Sequence, residues 1–147
     1  METHQDFKEL LASFNAHGVE YVIIGAHALA FHGVPRYTGD MDIYVREDKE
    51  NARRIMAALK DFGFGAVDLT EADFLEPDKV IQLGYPPVRI DLLTSISGVP
   101  WEEVAANKVA GEYCDIPVAF IGREQLIANK RACGRLKDLA DIEALGG

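Results

Sequence analysis

The chain has 147 residues, 48% of them hydrophobic and 27% charged, which suits one soluble domain with a real core. Its longest apolar stretch, "YVIIGAHALAF", is far too short to span a membrane. The formal net charge of −9 excludes broad electrostatic capture of nucleic acid, but it leaves room for an acid-rich site holding a hard divalent cation.

Taken in chain order, "DFKELLASFNAHG" places Phe7, Leu10, Leu11 and Phe14 at helical spacing and stops at Gly18, a good helix terminator. "EYVII" reads as a buried strand and "AHALAFHG" as a short helix ending at Gly33. "MDIYV" is a second strand. "DKENARRIMAALKDFG" is an amphipathic helix with Ala52, Ile55, Met56 and Leu59 on one face. "KVIQLG" and "VRIDLL" flank a Pro-rich link and read as an antiparallel pair. "PWEEVAAN" is a helix with Pro100 in its first turn, and "IPVAFI" is a last strand. "REQLIANKRACG" and "LKDLADIEAL" are two closing helices parted by Gly134. The fold class is therefore α/β (α+β), one domain over 1–147, with a mixed sheet of about five strands flanked by helices and the helices at 123–145 closing a site. Cys114 and Cys133 have no metal-ligand spacing and the N-terminus lacks a signal-peptide pattern, so a reducing, cytoplasmic setting is expected.

The chemistry is concentrated in the acids. Residues i and i+2 of a strand face the same way, so Asp40 and Asp42 share one face while Met41, Ile43 and Val45 point to the other. In "VRIDLL", Asp91 likewise lies opposite the series Val88, Ile90, Leu92. If the two strands are neighbours, three carboxylates converge. Such a cluster is driven towards protonation unless cations neutralise it, as a pair of Mg²⁺ ions does in phosphoryl transfer. The plainer alternative is a turn acid and two solvated strand residues. Gly25-Ala26 stands where a strand becomes a helix, a place where backbone N–H groups can face a phosphate. Cations gather in two places: Arg36 just before the acids, and Lys130, Arg131, Arg135 and Lys137 near the C-terminus.

Together these residues resemble the DNA polymerase β-type nucleotidyltransferase superfamily, especially small bacterial members related to minimal nucleotidyltransferases and abortive-infection nucleotidyltransferase toxins. The shared pattern is "IIGA", a short helix, "GDMDIYV", and a later acid strand, "RIDLL". The stretch His32, Gly33, Pro35, Arg36, Thr38 matches a segment that smaller members carry before the acid pair. "NKRACGRLKDLADIEAL" looks like the toxin-like branch's Lys and Asp-bearing helix, with Lys130, Arg135, Asp138 and Asp141 in the matching places. One departure is Ala26, where the family has Gly or Ser, so a phosphate-binding hydroxyl is missing.

The resemblance implies a polymerase-β-like fold and a Mg²⁺-dependent transfer of NMP from a nucleoside triphosphate such as ATP to a hydroxyl acceptor. Asp40, Asp42 and Asp91 would be the catalytic and metal-binding acids, for two Mg²⁺ ions with Mn²⁺ as a substitute. Gly25, Ala26, Arg36, Thr38 and Lys130 would bind nucleotide, with Arg135 and Asp138 accessory. The acceptor stays open among a partner protein, an RNA end and a small molecule, a toxin–antitoxin setting is one context, and a homo-oligomer is another open expectation. The alternative is a nucleotide-binding module of the same fold that transfers nothing. His32 is expected to be structural, His27 to pack or lie near the phosphates, and Trp101 to anchor the core.

Overall fold

The computed structural model describes residues 2–35, 39–63, 69–85 and 88–147. Arg36 and Thr38, expected to bind nucleotide, lie outside the described residues, as do Pro86 and Pro87 of the expected Pro-rich link.

The chain runs α1 (Glu2–Ala16), β1 (Tyr21–Ile24), α2 (Gly25–Phe31), β2 (Asp40–Val45), α3 (Lys49–Phe62), a 3₁₀ turn (Glu71–Leu75), β3 (Val80–Tyr85) and β4 (Val88–Leu93). It continues with α4 (Trp101–Asn107), β5 (Val109–Tyr113), β6 (Ile116–Phe120), α5 (Arg123–Cys133) and α6 (Leu136–Ala144). The strands form one sheet in the order β3-β4-β2-β1-β6-β5. β2 is parallel to β4 and β1 to β6, while the other neighbours are antiparallel. This is the mixed sheet flanked by helices that the sequence predicts, with one correction.

The sheet has six strands rather than about five. β5 was missed because "VAGEY" carries neither an apolar run nor a clean alternation: it is an edge strand whose residues are exposed or half-buried. Gly111 is required there, since a β-carbon would press on the rings of Phe31 and Phe120, which stack at 4.2 Å.

The core forms where the periodicities meet. Phe7, Leu10, Leu11 and Phe14 of α1 are fully buried, as are Met41, Ile43 and Val45 of β2 and Ala52, Ile55 and Leu59 of α3. α3 starts at Asp48, whose carboxylate accepts from the Asn51 backbone N–H, and stops at Gly63 in the left-handed region (φ 112°), a start and stop that local chemistry favours. Trp101 packs edge-on to Tyr44 at 5.1 Å, partly buried against the core as expected. No described helix is long and apolar enough to cross a membrane. With one face of β2 committed to the core, its other face presents Asp40 and Asp42 to a cleft.

Candidate active site

The parallel pairing of β2 with β4 sets Asp40 beside Arg89 and Asp42 beside Asp91. Neighbouring strands lie only about 4.8 Å apart, so the three acids share one patch of one sheet face. Desolvation raises the Asp42 carboxyl to about 6, reinforced by the charge of Asp91, a hydrogen bond with Asp91 and the charge of Asp40, and opposed by Arg89.

Arg89 is the residue that sequence reasoning missed. Its Nε donates to Asp91 Oδ1 at 2.9 Å and its Nη2 to Asp91 Oδ2 at 3.1 Å, a two-point fork. Nη2 also reaches Asp40 Oδ2 at 3.3 Å. The i and i+2 rule that placed Asp42 with Asp40 places Arg89 with Asp91 just as well, so the signal was present in "VRIDLL". Among the described residues, no three His, Cys, Asp or Glu side chains stand ready-made to hold a metal ion; both oxygens of Asp91 and one of Asp40 accept from the guanidinium.

The α2 side of the site depends on Gly25. β1 pairs Ile24 with Asp42, so the next residue, at φ 71°, passes directly over that carboxylate. A β-carbon at Gly25 would collide with Asp42 Oδ2 and stand 3.1 Å from Asp42 Cβ and Cγ. Among the described residues no side chain caps α2, and Gly25 and Ala26 line the cavity there.

That cavity measures about 680 Å³ and gathers all the described candidate site residues, a volume within the ordinary range for small-molecule sites. Its floor has Asp40, Asp42 and Asp91; its far wall has Lys130, Arg135 and Asp138. β3 and β4 add Val80 and Leu93, which are cross-strand partners.

The far wall is held by its own ion pairs. Lys130 is buried, with its Nζ 3.0 Å from Asp141 Oδ2 and 3.6 Å from Asp138 Oδ1. Asp138 also accepts from Arg135 Nε at 2.6 Å and from the Arg135 backbone N–H at 3.2 Å, which caps α6. Arg135 above all holds the Asp138 carboxyl below its usual range. The expected phosphate ligand thus lines the cavity while pinning α5 to α6.

His32 is structural: its ring Nε2 lies 2.7 Å from the Ile121 carbonyl oxygen. His27 packs edge-on between Phe7 (5.7 Å) and Tyr113 (5.6 Å).

No family model and no curated protein matches the sequence. The structure is similar to the crystal structure of a provisionally assigned nucleotidyltransferase from Thermotoga maritima, with a TM-score of 0.58 and 17% identity over 95% of this chain and 88% of that one. At that identity the likeness is one of fold: this chain has a nucleotidyltransferase-like fold.

Proposed function

We propose that this protein is a metal-dependent nucleotidyltransferase that moves an NMP group from a nucleoside triphosphate to a hydroxyl acceptor. The observation that carries the proposal is the register of β2 against β4, which brings Asp40, Asp42 and Asp91 to one floor of a cavity that Lys130, Arg135 and Lys137 also line. The acids fit divalent cations: the burial and mutual repulsion that raise Asp42 are what a bound cation relieves, and Mg²⁺ needs only one or two carboxylates when phosphates complete its shell. When bound, such ions neutralise the carboxylates and the charge on the transferring group.

The chain's own residues do the rest. Gly25 and Ala26 let the backbone at the start of α2 approach the phosphates, and Lys130, held by Asp141, sets a positive charge opposite them. Asp91 stands at the acceptor side, where it takes the hydroxyl proton as the acceptor oxygen attacks the α-phosphorus. The bond from that phosphorus to the β-phosphate oxygen breaks and pyrophosphate leaves. Catalysis here is positioning and charge neutralisation. A protein, an RNA end and a small hydroxyl compound are all candidate acceptors, and the paired Lys130 and Asp138 element supports a toxin-like context. The exposed free thiols of Cys114 and Cys133 suit a reducing cytoplasm.

A second reading is a nucleotide-binding module without turnover. Ala26 in place of a hydroxyl residue, and a Lys130 ammonium already engaged by two carboxylates, favour it. Asp91→Asn separates the two. For a transferase, the variant binds Mg²⁺–NTP within a few-fold of wild type while labelled-NMP transfer falls by ~10²-fold or more, the lower range for a positioned acid–base group. Equal transfer by wild type and variant would remove Asp91 from the chemistry. Nucleotide binding by both with no transfer to protein, RNA or small-molecule acceptors would establish the binding module.

A further inference from the structure

We propose that Arg89 is a resident counter-ion of the acidic floor, which limits the protein alone to one divalent cation and makes uptake of a second depend on the phosphates of bound nucleotide. The proposal rests on the transfer function above and concerns how its site is loaded.

Three facts carry it. The guanidinium makes a two-point fork on Asp91 and a third bond to Asp40, so it holds both carboxylate oxygens of Asp91 and one of Asp40 on two adjacent strands. Its hydrogen bonds go to Asp91 and Asp40 and not to Asp42. That leaves Asp42, which shares a hydrogen bond with Asp91, as the acid that a first cation meets without displacing the guanidinium. Second, three carboxylates and one guanidinium carry two net negative charges, the complement of a single divalent ion. The rest of the cavity lining does not alter that balance, because Lys130, Arg135 and Lys137 are matched in number by Asp78, Asp138 and Asp141. Third, an arginine cannot lose its proton under any ordinary condition. It leaves the carboxylates only when something displaces it. A cation that arrives with phosphate oxygens already in its shell needs fewer protein ligands and also offers the guanidinium a new anionic partner. Free cation offers neither.

Arg89 is therefore a positioning residue, and its test is cation uptake rather than turnover. Mn²⁺ is titrated into the metal-free full chain, with free Mn²⁺ read by electron paramagnetic resonance, with and without α,β-methylene-ATP. Wild type should take up one ion alone and a second only with the nucleotide analogue. Arg89→Met should take up Mn²⁺ about tenfold more tightly without nucleotide, the scale of losing hydrogen bonds to a charged group, and should admit the second ion unaided. Arg89→Lys keeps the charge and should stay near wild type. Arg89→Gln provides the same comparison if Arg89→Met fails to melt cooperatively in EDTA.

Unchanged or weaker Mn²⁺ uptake by the folded neutral variants would overturn the proposal, and so would a second ion entering wild type without nucleotide. If the neutral variants gain uptake but wild type takes no second ion with the analogue, the counter-ion role stands and nucleotide-driven loading, with the transfer function behind it, fails.

Discussion

Gly25 passes so close over Asp42 that the site has no room for a β-carbon between them. The same glycine sits at φ 71°, where an alanine costs ~1 kcal/mol from backbone strain alone. Gly25→Ala should therefore destabilise the protein by ~1–3 kcal/mol in urea titrations, strain and displaced carboxylate together. The two parts separate in a double-mutant cycle. With Asp42→Ala as background, the collision disappears and only the strain remains. An identical cost in both backgrounds would mean the close approach has no energetic weight.

Asp42 should make the metal-free protein lose stability as pH rises. Its carboxyl is raised from 3.8 to about 6, so between those values the native state binds more protons than the unfolded chain. Stability is then full below pH ~4 and declines until about 6, by at most ~3 kcal/mol at 1.36 kcal/mol per unit. Asp42→Asn should flatten that decline and leave the variant more stable than wild type at pH 7 in EDTA. Thermal melts from pH 4 to 7.5 read this directly, and parallel curves for the two proteins would rule it out.

Lys130 should matter for stability as well as for nucleotide. Lys130→Met leaves Asp141 buried without that ammonium, and breaking one side of a buried pair costs ~3–5 kcal/mol. Replacing both, as Lys130→Met with Asp141→Leu, should recover much of the loss. At matched folded fraction, the single variant should lose more affinity for NTP than for NMP, because only NTP carries the outer phosphates. Equal losses would confine Lys130 to joining α5 and α6.

The β5–β6 hairpin turns on Cys114 (φ 49°) and Asp115 (φ 69°), with Tyr113 paired to Ile116 across it. Two consecutive positive φ values in a two-residue loop favour Asn-Gly. Cys114→Asn with Asp115→Gly should raise stability by ~0.5–1 kcal/mol, with no effect on a cavity that does not include either residue. A lower melting temperature would show that Cys114 or Asp115 makes a contact worth more than the strain.

The legible part of the molecule was whatever one face of one element decides. Met41 and Ile43 alternate with Asp40 and Asp42, so both the core side and the cleft side of this end of β2 could be read from period two alone. The helices of 49–62 and 123–144 announce themselves by apolar spacing and by terminal glycines. What could not be read depends on partners from elsewhere in the chain. β5 has almost no pattern of its own and exists because β6 offers it a ladder. Period two puts Arg89 on the face of Asp91, and only the register with Asp40 shows that it faces two acids. Lys130 looked free for a phosphate because its buried partner, Asp141, sits a whole helix later.

Because β2 and β4 pair in parallel, Asp42 meets Asp91 only after the chain between them, with α3 and β3, has been laid down. That is long-range closure, of the kind that slows folding. A chain that has not yet paired β2 with β4 lacks the acidic floor. Ligands of the floor should then act on one side of the folding barrier: saturating Mn²⁺ and nucleotide analogue should slow unfolding in stopped-flow experiments and leave the refolding arm of the chevron where it was.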